Sequence, residues 1–269
     1  MTVAELNGIS LGYREHGSGP PVLMLMGTGS PGRVWELHQV PALVAAGYRA
    51  VTVDARGIPP SSECAGGITI DDLVADAAAL LEHLGGEPTA VVGTSLGARV
   101  AQELALARPD LVSRVACLAA HGRPHPVTRM LNAGERALHD TGTVLPPEFH
   151  AAVTALLNLS TRTLADPAVA TDWLDLFAFS GSAIGAGARA QLDLDEFPDR
   201  LADYRAMRVP LLAMAFAEDR IIPPFLVREV ADAVPGARFV EIADCGHFGY
   251  LERPAEVNRV LLEFLAEST

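Results

Sequence analysis

Residues 91–99, VVGTSLGAR, decide how the rest of the chain is interpreted. Ala90–Val92 has the pattern of a short apolar strand, and it leads into Gly-x-Ser-x-Gly and a helix predicted over Leu96–Ala107. A serine between a strand and a helix lies on a tight, strained turn that lifts its hydroxyl away from the backbone. The stretch therefore predicts a nucleophile elbow with Ser95 as the nucleophile.

The residues around Ser95 fit that interpretation. A β-carbon at Gly93 or Gly97 would collide with the neighbouring strand or helix, so the turn needs both glycines. The amide of Leu96 would point from the helix N-terminus toward negative charge that forms beside the serine hydroxyl. The alternative is an ordinary turn, because this short motif also occurs by chance in loops.

Length and composition limit the class of protein. The chain has 269 residues, 49% hydrophobic and 20% charged, the balance of a globular protein large enough for one α/β domain. A formal net charge of −13 disfavours nucleic acid and anionic membranes as partners. Three widely spaced cysteines predict neither a disulfide framework nor a metal site: Cys64, Cys117 and Cys245. Lacking a signal-peptide pattern, the chain is expected to be cytoplasmic, as a monomer or homodimer.

Strand and helix patterns alternate along most of the chain. Continuous apolar runs predict strands over Val22–Met26, Arg49–Val53 and Val112–Ala119, and a helix is predicted over Val34–Ala46. Thr69 begins a further helix, with Asp72 completing a capping box. This alternation with short joins predicts an α/β fold, with a mostly parallel central sheet flanked by helices.

The alternation stops between His121 and about Arg208, where several helix-like segments occur without a clear strand. It resumes with a strand at Val209–Phe216. We therefore predict a core formed by residues 1–120 and 209–269, with residues 121–208 inserted after the sixth strand as a helical cap. A separate second domain is the alternative, although no obvious linker delimits one.

Two residues in the last third of the chain could activate Ser95. Asp219 follows the predicted strand Leu211–Phe216, and His247 follows the predicted strand Arg238–Ile242. Both residues lie beyond the carboxyl ends of parallel strands, the edge at which Ser95 also lies. Their order along the chain, Ser, Asp, His, is the order of a nucleophile, its orienting acid and its base in this arrangement.

Each assignment has a structural alternative. Asp219 could be a turn acid or a helix cap before Pro223, in which case Glu218 or Asp244 could orient the base. His247 could be an ordinary loop histidine. Three chemically matched residues at three strand ends favour the catalytic interpretation.

With these motifs the chain resembles the α/β-hydrolase family, and within it the serine hydrolases that carry a cap. The resemblance extends from about Leu11 to Leu265. Within the family the chain is similar to the esterase, lactonase, thioesterase and cofactor-free haloperoxidase-like branches. It rests on four stretches: Asp54–Gly57, Gly93–Gly97, Glu218–Pro223 and Gly246–His247 with Glu252–Pro254. The resemblance implies a small-molecule substrate and no cofactor. Serine as the nucleophile, rather than aspartate, argues against the dehalogenase and epoxide hydrolase branches.

The resemblance also implies a second oxyanion donor. Family members usually carry His-Gly-x after the third strand, and here the stretch is Met26–Gly27–Thr28. Backbone amides of Thr28 and Leu96 would then hold the oxyanion, while the missing histidine leaves open how the loop is braced. Gly27 and Gly29 are assigned to substrate binding, with plain turn glycines as the alternative.

Other side chains could surround a substrate. Aromatic and methionine side chains could line an apolar pocket, although each could equally be core or cap packing: Trp35, Met130, Trp173, Phe177 and Phe248. Four histidines around the cap lack carboxylate or cysteine partners at ligand spacing, so no metal is expected: His121, His125, His139 and His150.

The sequence thus predicts a serine hydrolase that acts through an acyl-enzyme on a carboxylic ester, lactone or thioester of a small to medium apolar metabolite. Two alternatives remain open. The same triad could serve lyase, cyclase or carbon–carbon bond chemistry in bacterial secondary metabolism. The fold could also serve as a non-catalytic receptor for a small molecule, although a receptor needs no activated serine.

Overall fold

An eight-stranded sheet forms the centre of the computed structural model, which describes residues 1–64 and 67–267. In chain order its strands are β1 (Thr2–Leu6), β2 (Ile9–His16), β3 (Pro21–Leu25), β4 (Arg49–Asp54), β5 (Thr89–Thr94), β6 (Val112–Leu118), β7 (Leu211–Phe216) and β8 (Arg238–Ile242). Across the sheet the order is β1-β2-β4-β3-β5-β6-β7-β8. Strand β2 is antiparallel to β1 and β4, and every pairing from β4 to β8 is parallel. The predicted fold class is therefore confirmed.

Helices flank this sheet. The helices associated with the core are α1 (Gln39–Ala45), α2 (Ile70–His83), α3 (Leu96–Ala107), α10 (Pro224–Ala233), α11 (Gly249–Glu252) and α12 (Pro254–Leu265). The predicted capping box at the start of α2 is present, with the Thr69 side chain and Asp72 exchanging hydrogen bonds. Among the described residues, no helix is both long enough and apolar enough to cross a membrane.

The single helix predicted over residues 34–46 is wrong. A 3-10 helix, Gly32–Leu37, is followed by His38, and α1 begins at Gln39. The reason is Pro41. A continuous helix would bring its ring against the carbonyl of Leu37 and require an N–H that proline lacks. The break places Pro41 in the first turn of α1, where no intrahelical N–H bond is needed.

Strand β1 was not predicted from the sequence. It pairs antiparallel with β2, from Thr2 opposite Tyr13 to Leu6 opposite Ile9. The connection is Asn7–Gly8, and both residues have positive φ, 48° and 76°. Asn-Gly is the sequence signal for a two-residue hairpin turn that needs positive φ at both positions. The local signal for β1 was present in the sequence.

The chain between β6 and β7 is helical throughout its regular elements. These are α4 (Pro126–Asp140), α5 (Pro147–Asn158), α6 (Thr161–Leu164), α7 (Pro167–Ser180), α8 (Ala186–Gln191), a 3-10 helix (Leu192–Asp195) and α9 (Leu201–Tyr204). A small apolar cluster of its own joins α5 to α7 through Ala151, Ala155 and Phe177, with Phe248 of the core packed against it. We propose on this basis that residues 121–208 act as a cap on the core.

The turn between β5 and α3 is enclosed by backbone. A β-carbon at Gly93 would overlap the carbonyl of Gly97, and one at Gly97 would overlap the carbonyl of Leu25 and lie 2.7 Å from that of Met26. Backbone cannot move aside as a flexible side chain can. Strand β5 and helix α3 can therefore approach each other, and the end of β3, only when both positions are glycine.

Replacing Gly97 with alanine is expected to lower the free energy of unfolding by at least about 2 kcal/mol, because the new methyl group must displace backbone. Urea titration of Gly97→Ala against the parent measures this change. Gly134→Ala is the matched control: it lies in helix α4, is exposed, and has nothing within 4 Å of its added β-carbon. That control should match or exceed the parent's stability. Equal stability of Gly97→Ala and the parent would contradict the packing described here.

Candidate active site

Ser95 lies at the turn that the sequence predicts. Its backbone has φ 54° and ψ −119°, a region that non-glycine residues rarely adopt, and it directly precedes the first residue of α3. The Ser95 amide donates a hydrogen bond of 3.0 Å to the carbonyl of Leu118 in β6. Strain of this kind costs on the order of 1–3 kcal/mol and persists where surrounding structure enforces it.

Asp219 and His247 form a buried pair. His247 Nδ1 lies 2.7 Å from Asp219 Oδ2, and the two residues are 8% and 3% exposed. The other carboxylate oxygen, Oδ1, accepts hydrogen bonds from the backbone amides of Ile221 and Ile222 at 2.8 and 2.9 Å. Because an ionised carboxylate can only accept, this contact makes Nδ1 the donor and leaves Nε2 with a free lone pair.

The two other acids considered as partners of the histidine bind elsewhere. Glu218 accepts hydrogen bonds from the amide and hydroxyl of Thr161, at 2.7 and 2.6 Å. Asp244 pairs with Arg162 at 2.6 Å. Both acids therefore attach helix α6 to the core. Asp219 is the carboxylate that contacts His247.

A cavity of about 730 Å³ opens above the elbow. Both Ser95 and His247 line it, together with residues of α4, α5 and α8. Within the described part of the chain, the Ser95 hydroxyl has no hydrogen bond within 3.5 Å. Catalytic hydrogen bonds are often long in ligand-free sites and shorten when substrate binds.

The loop that follows β3 lies directly beside Ser95. A β-carbon built on Gly27 would be 3.3 Å from Ser95 Cβ and 3.8 Å from its Oγ. Thr28, Gly29 and Leu96 also line the cavity. The two amides expected to bind an oxyanion thus belong to residues on the wall that surrounds the serine hydroxyl.

The aromatic and methionine residues assigned to the pocket from the sequence divide into two groups. Met130 and Phe248 line the cavity, whereas Trp35, Trp173 and Phe177 are absent from its lining. Trp35 is fully buried, with its ring 5.1 Å from that of Tyr250. The rings of Trp173 and Phe177 pack on each other and on Phe248, at centroid distances of 5.4–6.4 Å. Trp35, Trp173 and Phe177 thus contact residues that line the cavity, Tyr250 and Phe248, without lining it themselves.

Three of the four predicted cap histidines line the cavity: His121, His139 and His150. The fourth, His125, packs edge-on against Phe225 at 5.6 Å. In the described ranges, no group of three or more His, Cys, Asp or Glu side chains has the arrangement of a metal site.

His121 is the most deeply buried of these histidines. It follows β6, is 5% exposed, and packs edge-on against Phe197 at 5.3 Å. Its Nδ1 is buried without a hydrogen-bond partner among the described residues. Burial, reinforced by the charges of Arg99 and His247, lowers the pKa of His121 to about 3. The ring is therefore neutral at physiological pH, and the reaction outlined below does not use it.

The buried, neutral state of His121 predicts acid sensitivity. Between pH 6.5 and 3 the unfolded chain binds a proton that the folded ring excludes, so the free energy of unfolding falls as the pH falls. For His121→Asn, the loss of stability between pH 7 and pH 5 should be smaller than the parent's by up to about 2 kcal/mol. Urea titrations of both proteins at the two pH values provide the measurement. Identical pH slopes would contradict the assignment.

Comparison with known proteins identifies the family. The model of the alpha/beta hydrolase family matches residues 16–260. "Putative non-heme bromoperoxidase BpoC" of Mycobacterium tuberculosis H37Rv is 44% identical over 258 residues, which cover 96% of this chain and 98% of that protein. Its crystal structure aligns with a TM-score of 0.91 over 95% of both chains.

Two further similar proteins are named for other activities. "Putative carbamate hydrolase RutD" of Azorhizobium caulinodans is 27% identical over 271 residues, 99% of each chain. A thermophilic esterase from Thermogutta terrifontis is 25% identical and aligns with a TM-score of 0.82, covering 98% of this chain and 97% of its own. The fold, the family match and the strong similarity to BpoC together establish that this chain belongs to the alpha/beta hydrolase family.

Proposed function

We propose that this protein is a serine hydrolase that cleaves a carboxylic ester, lactone or thioester through an acyl-enzyme on Ser95. The observation that carries the proposal is the contact between Asp219 and His247 Nδ1 at 2.7 Å, beside a cavity that both His247 and Ser95 line. That contact leaves His247 Nε2 free to accept a proton, which is what a general base for a serine hydroxyl requires.

In the proposed reaction, His247 removes the hydroxyl proton of Ser95 as the serine oxygen attacks the substrate carbonyl. The backbone amides of Leu96 and Thr28 stabilise the negative oxygen of the tetrahedral intermediate, and the loss of one such donor typically costs about 3 kcal/mol of barrier. His247 then protonates the leaving group. Water activated by the same histidine releases the acid from Ser95.

The cavity supports a substrate of small to medium size. Its volume, about 730 Å³, is typical of pockets for small molecules, which span roughly 300–1,000 Å³. Leucine, isoleucine and methionine side chains contribute much of the lining, which suits an apolar acyl or alkyl group.

A fluorophosphonate probe should add one adduct to the parent protein and none to Ser95→Ala, because the probe reacts with activated serines and its leaving group departs on attack. Intact-mass spectrometry measures the adduct. Ser182→Ala is the matched control: Ser182 lines the same cavity, but its hydroxyl accepts a hydrogen bond from the amide of Leu145 at 3.0 Å. That variant should be labelled like the parent. Labelling that persists in Ser95→Ala would refute the proposal.

A substrate panel on the labelled and unlabelled protein then assigns the reaction. Esters, lactones and thioesters form the first set, and a carbamate is added because RutD carries that name. The name of BpoC adds an assay with an ester, hydrogen peroxide and bromide. In this assay peroxide replaces water as the acceptor of the acyl group of the ester, and the resulting peracid oxidises bromide. A folded, unreactive parent that still binds a ligand would favour the receptor alternative.

Asp219→Asn is expected to reduce kcat by about 10³- to 10⁴-fold with little change in KM, because the amide no longer selects the tautomer of His247 that leaves Nε2 basic. Steady-state kinetics on the best ester of the panel provide the test. Glu218→Gln removes a nearby carboxylate that contacts Thr161 instead, so it should stay within about threefold of the parent. A larger loss in Glu218→Gln than in Asp219→Asn would reassign the orienting acid.

A further inference from the structure

The loop that carries Thr28 is rich in glycine, with Gly27 and Gly29 on either side of Thr28. Met26, the residue before it, has no strong hydrogen-bonding group in its side chain. Gly29 has φ 71°. Because glycine adopts several backbone conformations at low cost, the loop has alternatives to this conformation. A rotation of one peptide unit would change the direction in which the Thr28 amide points.

Two hydrogen bonds hold the two peptide units on either side of Thr28. The carbonyl of Gly27, in the same peptide unit as the Thr28 amide, accepts from Ser30 N at 3.2 Å. The amide of Gly29, in the next peptide unit, donates to Gln191 Oε1 at 2.9 Å. The first bond lies within the loop. The second comes from helix α8, 162 residues away in the sequence.

Gln191 is itself held at both ends of its amide group. Its side chain is 2% exposed, and Nε2 donates to the carbonyl of Arg56 at 2.9 Å. Since Gly29 N can only donate and the Arg56 carbonyl can only accept, the two contacts fix which end of the amide faces each partner. A buried amide with both groups satisfied occupies a single orientation.

The Arg56 carbonyl is in turn part of a rigid segment. The Arg56 guanidinium makes two hydrogen bonds to Asp76 of α2, at 2.9 and 2.7 Å. Asp76 is 3% exposed and also accepts from Asn7 Nδ2 at 2.7 Å. The side chain of Arg56, a residue of the Asp54–Gly57 motif, thus anchors the same residue whose carbonyl binds Gln191.

Helix α8 rests directly on these two loops. A β-carbon at Gly187 would overlap the backbone of Gly57, and one at Gly57 would lie 2.8 Å from Gly187 Cα. Ala188 Cβ is 3.3 Å from the position that a β-carbon on Gly29 would take. Such close backbone contact fixes the distance from α8 to the Thr28 loop, which is what Gln191 needs to reach Gly29.

From these contacts we infer that Gln191 is a positioning residue for the oxyanion hole: it holds the peptide after Thr28 so that the Thr28 amide faces the reacting oxygen at Ser95. The inference rests on the proposed function and deepens it, because it assigns to the inserted helical segment a role in transition-state stabilisation. Gln191 does not contact the reacting atoms. Its effect is exerted through the Gly27–Ser30 loop.

Gln191→Met tests this role, because methionine has a similar length but makes neither hydrogen bond. For p-nitrophenyl butyrate, kcat should fall by about 10- to 100-fold with KM within about twofold, a loss smaller than that for removing a donor outright. The affinity for a trifluoromethyl ketone, whose oxyanion occupies the same hole, should fall by the same factor as kcat/KM. If Gln191 only stabilised the fold, the affinity for the ketone and kcat/KM would not fall by the same factor.

Gln102→Met is the matched control. Gln102 is also a buried glutamine, 0% exposed, and it contacts Tyr204 in the core without touching the cavity. It should lose comparable stability and keep the parent's kcat and ketone affinity. Parental kcat in Gln191→Met, or an equal loss of kcat in both variants, would overturn the inference.

A measurement on the parent protein keeps the inference testable if Gln191→Met does not fold. The Gly29 amide should be protected from hydrogen exchange, since its hydrogen bond ends on a buried side chain. Exchange at the rate of an exposed amide would overturn the inference. Failure of the proposed function would give a different result from failure of this inference. In that case the parent protein itself would hydrolyse no ester and react with no fluorophosphonate.

Discussion

Close backbone packing at the nucleophile turn is the constraint on which the site depends. Gly97 lies against the carbonyls at the end of β3, and Gly93 lies against Gly97, so β5, α3 and β3 converge with no side chain between them. That convergence holds Ser95 at positive φ and brings the loop after β3 so close that a β-carbon on Gly27 would lie 3.3 Å from Ser95 Cβ. Ser95, the proposed nucleophile, and the proposed oxyanion loop are thus positioned by the same packing, which explains why glycines lie two residues before and two residues after the serine.

Most of the core could be predicted because its signals are local. Apolar runs located the parallel strands, the capping box located α2, and the strand-turn-helix context of Ser95 located α3. Asp219 could be favoured from its position after a strand, and the contact with His247 agrees with that choice. The errors were also local: Pro41 was overlooked as a reason for a helix to begin, and Asn7–Gly8 was overlooked as a hairpin signal.

The cavity wall and its supports could not be predicted, because they depend on contacts between distant parts of the chain. An aromatic residue is expected to be buried, but its type does not indicate whether its ring lines a cavity. Trp35 and Phe248 were both assigned to the pocket, and only Phe248 lines it, whereas Trp35 is buried in the core. Gln191 had no distinguishing feature in the sequence. Its position depends on the close approach of Gly57 and Gly187, which brings α8 against the core loops. Gly57 belongs to the Asp54–Gly57 motif, but nothing in the sequence indicates that it contacts Gly187.

The most direct test of the proposed site is a crystal structure of the protein after reaction with a fluorophosphonate. We predict phosphorus bonded to Ser95 Oγ, with the phosphoryl oxygen about 2.7–3.1 Å from the amide nitrogens of both Leu96 and Thr28. An adduct on a different side chain would contradict the assignment of the nucleophile. A phosphoryl oxygen directed away from both amides would contradict the oxyanion hole, and with it the role given to the loop after β3.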